Sequence, residues 1–251
     1  MTSTTEWNAT SYDRIADPQA RWGAEVLARL TLDGAETVLD AGCGSGRVTE
    51  MLMERLPTGR VVALDQSTSM LDEARRRLAR FGDRVAYVHA DLGQPLPIER
   101  PVDAILSTAT FHWVPDHDAL FANLARVLRP GGLLVAQCGG FGNIARFLEV
   151  AGSVDPNFVR NAHNFQTAEA TAARLEREGF IDIHTWLSDA PTPFDSTEHL
   201  EEFLATVCLR VHLMNLPEDD RKPFVREVAS RMSEPVLDYV RLNITARRSP
   251  S

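Results

Sequence analysis

Lysine is almost missing from this chain. The one lysine, Lys222, stands in the polar stretch "PEDDRKPF", so Schiff-base chemistry, which needs a desolvated amine, has no good candidate. Positive charge as a whole is in deficit. Lys and Arg number 26 against 35 Asp and Glu, a net charge of −9, and a general nucleic-acid-binding surface is excluded because phosphate neutralisation needs clustered basic residues. Cysteine is scarce too: Cys43, Cys138 and Cys208 are odd in number, far apart and without a CxxC pair, which argues against both a disulfide framework and a structural zinc site. No apolar run approaches the roughly 18 residues of a membrane span. The opening "MTSTTEWNAT" carries neither a basic n-region nor an apolar leader core. These absences together predict a soluble protein of the reducing cytoplasm, off the membrane.

What is present is a strong alternation. The 251 residues, 44% of them hydrophobic, suit a single domain over 1–251, near the upper size for one core. Short β-branched runs at 37–40, 60–65 and 84–91 enclose amphipathic stretches near 45–56 and 67–80. The rhythm continues with a strand at 102–110, a helix near 117–128 stopped by "RPGG", and a strand at 133–140. Strands this apolar, joined by helices, are buried on both faces, which predicts a parallel, doubly wound α/β sheet. A helix near 167–179 then leads to a strand at 181–188, and the run "LDYVRLNITARR" ends the chain. Residues 1–35 read as an N-terminal helical segment. Residues 195–234 read as two helices separated by "NLP", an insert too long for a hairpin loop and expected to cap the sheet beside its edge.

The chemistry concentrates in "DAGCGSGRVTE", residues 40 to 50. Gly42, Gly44 and Gly46 form GxGxG directly after the first strand, where glycine permits positive φ and a close approach of ligand to backbone. The dinucleotide fingerprint would read GxGxxG instead. Asp65 closes the second strand, where an acid can accept from both hydroxyls of a ribose, and Asp91 closes the third beside the same cleft. Acids at three successive strand ends, Asp40 included, without a phosphate-binding lysine, suit a ligand with a nucleoside and a positive charge but no phosphate. S-adenosylmethionine has that chemistry. Ordinary capping or turn roles are the competing reading for Asp40 and Asp91.

On "VLDAGCGSG" (38–46), "VVALDQS" (61–67), "HADL" (89–92), "DAILSTATFHWV" (103–114) and "LRPGGLLV" (128–135), in this order, the chain resembles the class I S-adenosylmethionine-dependent methyltransferases. Their amino-methylating nucleic-acid branch carries an "NPPY"-type signature at the fourth strand end, where this chain reads "STAT". The stretch 108–132 looks most like the trans-aconitate methyltransferase branch, which esterifies small polycarboxylic acids. The resemblance implies a Rossmann-like sheet of seven strands with the last, 236–247, antiparallel. It also implies that Gly42, Gly44 and Gly46 carry the cofactor's amino-acid moiety, with Asp40 nearby. Asp65 would take the ribose and Asp91 and Leu92 the adenine edge, with Gln66 and Thr108 also among the cofactor-binding residues. Met70 either contacts the adenine or faces the sheet. Tyr12, Gln19 and Trp22 belong to the segment that in this family folds over the cofactor.

The catalytic candidates follow the fourth strand, where a doubly wound sheet opens its ligand crevice. His112 is expected either to orient the acceptor or to act as base, and Trp113 to line the acceptor pocket. "HWVPDHD", with Asp116, His117 and Asp118, invites a metal, but its spacing matches no i,i+4 ligand pair and none is predicted. His163, Arg146 and Arg160 could face the crevice. The expected reaction is methyl transfer from S-adenosylmethionine to a small-molecule carboxylate. The alternatives are an O- or C-methyltransferase of a hydroxyl or enol with His112 as base, and a binding protein that kept the fold without the reaction.

Overall fold

The computed structural model describes residues 17–158 and 163–250, with side chains from Trp22 onward in the first helix. Seven strands form one sheet: β1 (Thr37–Ala41), β2 (Arg60–Asp65), β3 (Val85–His89), β4 (Val102–Thr108), β5 (Leu128–Gly139), β6 (Phe180–Asp189) and β7 (Val240–Arg248). Their order is β3-β2-β1-β4-β5-β7-β6. The pairs from β3 through β5 are parallel, and β7 runs antiparallel to both β5 and β6. The chain reverses direction across β1, first building outward through β2 and β3 and then returning to add β4. This is the switch point at which a doubly wound sheet leaves a crevice at its carboxyl edge.

The helices are α1 (Asp17–Ala28), α2 (Arg47–Glu54), α3 (Thr68–Leu78), α4 (His117–Val127), α5 (Ala145–Val154), α6 (Ala168–Arg177), α7 (Thr197–Phe203), α8 (Arg210–Met214) and α9 (Glu218–Arg231). Several starts are set locally: Ser67 accepts from the Met70 N–H, Asp116 from Asp118 and Ala119, and Thr167 from Ala170, each satisfying orphan donors of a first turn. Leu39, Leu64, Ile105 and Leu134 pack one face of the sheet against α4 residues such as Phe121. Val38, Val61, Leu106 and Val135 pack the other against Val26, Leu52 and Leu71. Central strands apolar on both faces are the physical source of the uninterrupted hydrophobic runs.

Four expectations change. The glycine-proline break "RPGG" does not separate helix from strand: β5 begins at Leu128 and absorbs the break as a register shift against β4. The last strand is divided, since Val236–Leu237 pairs with Thr192–Pro193 in a small separate ribbon before β7 begins at Val240. The first helix of the insert is interrupted by a π-helical turn at Leu204–Cys208. The insert does not lie beside the sheet edge, which β3 and β6 form. It packs with α5, a helix the sequence reading left out, in a third core that includes Phe147, Phe203, Val228 and also Trp22 and Tyr239. Tyr239 immediately precedes β7, and β7, being antiparallel, starts at the carboxyl edge of β5, so the cap covers that edge.

Candidate functional site

β1 delivers the chain to Ala41, where the extended conformation ends in a run of alternating glycines. Gly42, Gly44 and Gly46 have φ of 86°, 54° and 83°, a region that L side chains rarely adopt. Gly46 is the left-handed residue from which α2 starts. The loop is held from below, because the N–H groups of Gly42 and Cys43 both donate to the Leu64 carbonyl at 2.8 and 2.9 Å. A Cβ at Gly42 would stand 2.2 Å from the Thr110 hydroxyl oxygen, whereas one at Gly44 would meet nothing within 4 Å. The loop thus has a packed side, against the chain leaving β4, and an open side at Gly44.

The acids differ in environment. Asp40 is 1% exposed; its Oδ2 accepts from the Thr49 hydroxyl at 2.6 Å, and its Oδ1 is buried without a hydrogen-bond partner. Burial, opposed by Thr49 and reinforced by the charge of Asp65, pushes its pKa up to about 7. Asp65 ends β2 and accepts from the Gly44 N–H at Oδ2 and the Ser67 N–H at Oδ1, both at 2.9 Å. Burial raises its pKa too, against those backbone bonds. Asp65 is therefore coupled to the loop and spends only part of its acceptor capacity on it. Asp91 lies beyond the end of β3, exposed, where its Oδ1 accepts from the Gly93 N–H as in an Asx turn. Leu92 and Met70 are buried, and Gln66 and Thr108 are half-buried.

After Thr108, Ala109 takes a positive φ of 55° and Phe111–Trp113 form a 3-10 turn. That turn buries His112. The Gly139 N–H donates to His112 Nδ1 at 3.3 Å, which fixes the ring proton on Nε2. Its pKa lies well below the usual histidine value, because of burial first and then the positive groups around it, Arg241 among them. His112 also lines a cleft that is partly open to solvent. Trp113, His163 and Phe165 line it too, and the ring planes of His163 and Phe165 stack at 5.0 Å and 6°. Trp22 from α1, Tyr239, Arg241, and Val207 and Cys208 of the π-helical turn also line the cleft.

A family model described as a methyltransferase domain matches residues 38–132. A trans-aconitate 2-methyltransferase of Methylobacterium nodulans is 36% identical over 76% of this chain and 70% of its own length. The chain belongs to the class I S-adenosylmethionine-dependent methyltransferases, in the trans-aconitate methyltransferase branch. A protein of the same name from Acidovorax is 29% identical over 98% of this chain and 99% of its own. Other curated relatives match over only about half their length. Among solved structures, Haemonchus contortus phosphoethanolamine N-methyltransferase 2, bound to phosphomonomethylethanolamine and S-adenosylhomocysteine, has the same fold, with a TM-score of 0.65 at 20% identity over 97% of this chain and 57% of that one.

The cofactor of this methyltransferase is S-adenosylmethionine, and the residues present fit it. Asp40 Oδ1 is a buried carboxylate oxygen lacking a donor, the loop's open side is at Gly44, and the loop and Asp65 form one hydrogen-bonded unit. Tyr12 and the Gln19 side chain lie outside the described residues, as does Arg160. Arg146 is exposed and donates to Ser233, away from the cleft lining. His117 turns inward onto the Phe111 carbonyl at 2.9 Å, and no cluster of three or more metal-ligating side chains occurs among the described residues. Several residues of the cleft escaped the sequence reading, Arg241, Ile144 and Ala109 among them. Arg241 sits in a strand that the sequence presents as ordinary, and Ile144, like Ala109, holds a positive φ without being glycine, a strain that collects at functional sites.

Proposed function

We propose that this methyltransferase esterifies a small carboxylic acid, with the glycine loop holding the cofactor and the cleft behind His112 holding the acceptor. In this reading Gly42, Gly44 and Gly46 take the cofactor's amino-acid end with Asp40 balancing its ammonium, while Asp65 and Gln66 take the ribose. Asp91, Leu92 and Met70 border the adenine, and Thr108 borders the reacting end. S-adenosylmethionine supplies a sulfonium methyl: the acceptor oxygen forms the C–O bond as the C–S bond breaks, and the sulfur keeps the electron pair. An ionised carboxylate, with an ordinary pKa near ~4, surrenders no proton, so alignment supplies most of the rate.

The observation that carries the carboxylate reading is the hydrogen bond from Gly139 to His112. It occupies the Nδ1 lone pair and leaves Nε2 as a donor. A general base needs a free lone pair facing the acceptor, and this imidazole would have to break its bond to Gly139 and exchange tautomers to provide one. A donor is what a carboxylate requires. The buried Arg241 in the same cleft supports an anionic acceptor, and the names of the relatives point the same way.

The test is a screen of small carboxylic acids, phenols and enols with methyl-labelled cofactor, followed by a pH–rate profile under conditions where methyl transfer limits. A methyl ester product and a rate flat from about pH 6 to 9 are expected. A phenol or enol ether, with a rising limb that vanishes in His112→Gln, would replace the carboxylate reading by the hydroxyl one.

A further inference from the structure

The turn that leaves β5 carries a buried amide on the acceptor cleft. Asn143 is 4% exposed and is one of the residues lining that cleft. Its turn is strapped to the segment entering β7: the Gly140 N–H donates to the Val240 carbonyl at 3.0 Å, the Val240 N–H to Asn143 Oδ1 at 2.9 Å, and the Ile144 N–H to the Asp238 carbonyl at 2.9 Å. The bond from Val240 decides which way the amide is turned. A backbone N–H requires an oxygen opposite it, so Oδ1 faces Val240 and the Nδ2 protons face away. Nδ2 stands 3.0 Å from the point a Cβ of Gly139 would occupy, beside Phe165 of the cleft, and makes no hydrogen bond among the described residues.

Gly139 is also the residue whose N–H occupies His112 Nδ1. The two side chains therefore meet at one position of β5, and in each the accepting atom is taken by a backbone N–H, that of Gly139 for His112 and that of Val240 for Asn143. What each has left to offer is a donor. A pair of donors suits the oxygens of an anion, not a hydroxyl that has to give up a proton. The arrangement is held at a cost. Buried amide protons without a partner disfavour the fold by about 1–3 kcal/mol, and Ile144, the next residue, keeps a φ of 51° although it is β-branched. Both sit on the turn that sets Asn143, as they would where a ligand completes the bonding.

Methyl transfer to a carboxylate joins an anion to a sulfonium and leaves a neutral ester and a neutral thioether, so the charge on the carboxylate falls along the reaction. A donor to that group holds the ground state at least as firmly as the transition state, and its contribution is binding and alignment. We infer that Asn143 is a substrate-binding residue, whose Nδ2 donates to the same acceptor carboxylate as His112 Nε2–H, fixing the carboxylate plane and leaving a lone pair of the attacking oxygen for the cofactor's methyl. This rests on the carboxylate reading above.

Asn143→Asp tests it, because this substitution keeps the shape of the side chain and an oxygen for the Val240 N–H while replacing the amide donor by a second oxygen. Initial rates with trans-aconitate and with crotonate give kcat and KM separately, titration with S-adenosylhomocysteine reports the cofactor site, and a thermal melt reports the fold. Crotonate has a single carboxylate, so a loss shared by both acids assigns the contact to the group being methylated. Asn143→Asp should raise KM for both acids by about 10- to 100-fold, the range of a lost hydrogen bond to a charged group, with kcat changed by less than about fivefold and S-adenosylhomocysteine bound within about threefold of the parent. If the aspartate variant shows no cooperative melt, Asn143→Ala and Asn143→Gln decide: the glutamine variant, which returns an amide donor, should have a KM about 10-fold below that of the alanine variant, and equal values would overturn the inference. It is also overturned by a folded aspartate variant with the parent's KM for both acids, by a change confined to trans-aconitate, or by a loss that falls on S-adenosylhomocysteine binding instead. In each of these cases the acids are still methylated, so only the role of Asn143 falls. A parent that methylates neither acid removes the carboxylate reading and this inference with it.

Discussion

Gly44→Ala separates the two properties that the glycine loop combines. The backbone at Gly44 has φ of 54°, so an alanine would sit in the left-handed region at a cost of about 1–2 kcal/mol to the folded state. Sterically it adds nothing more, because the new Cβ meets no atom within 4 Å. For a domain of this size about 1 kcal/mol corresponds to ~2–4 °C in Tm, and the variant should melt a few degrees below the parent. The open space at that Cβ is where the bound cofactor would approach the backbone. A methyl group there should weaken cofactor affinity by about 100-fold or abolish it. Thermal-shift melts read both effects. Cofactor at one hundred times the parent Kd adds about 2.7 kcal/mol to the parent, ~5–11 °C. The variant, with Kd raised about 100-fold, would gain only ~0.4 kcal/mol, about 1–2 °C. Gly42→Ala is the contrast, since its Cβ would collide with the Thr110 side chain and disturb the bond from the Thr110 hydroxyl to the Gly42 carbonyl. It should lose more stability than Gly44→Ala. A Gly44→Ala protein with the parent's full ligand-induced shift would refute the placement of the cofactor on this face of the loop.

Asp65→Ala should weaken cofactor binding by about 1.5–3 kcal/mol, the worth of hydrogen bonds to a charged group, and calorimetry showing equal affinity in mutant and parent would remove Asp65 from the ribose. Asp40 keeps its proton in the folded state up to about pH 7, whereas an unfolded aspartate loses it near ~4. Its contribution to stability is therefore fully present below about pH 4 and drains away as the pH rises to about 7. Asp40→Asn should accordingly gain stability relative to the parent across that window, level off above it, and bind cofactor more weakly; denaturant melts at pH 4.5 and 8 giving the same difference between the two proteins would contradict the buried-acid account. His112→Gln, which keeps a donor, should lose about 10-fold in kcat/KM, about 1.4 kcal/mol, with the pH–rate curve unchanged. A loss of 10²-fold or more, together with the disappearance of an acid limb, would make His112 a base.

The sequence alone determined the parts of this protein whose physics is local. Alternating apolar runs and helical stretches specified the parallel core, since a strand buried on both faces has no polar alternative and a helix must follow it. "DAGCGSG" announced a backbone of alternating positive φ, because only glycine enters that region without strain, and the acid at the end of β2 followed from the same βαβ unit. The remainder depended on which distant segments meet. Arg241 reads as one more charge in a strand, and only the insertion of β7 between β5 and β6 sets it opposite Gly139 and under Trp22, some two hundred residues earlier in the chain. The tautomer of His112 hangs on a backbone N–H of another strand, and Ala109 and Ile144 hold strained conformations that their own side chains do not favour. The insert's pattern foretold helices, yet their seat over the carboxyl edge came from a core shared with α1, α5 and Tyr239. Hydrophobic burial is non-directional: it decides that a helix will be covered and leaves the choice of partner to the packing of the whole chain.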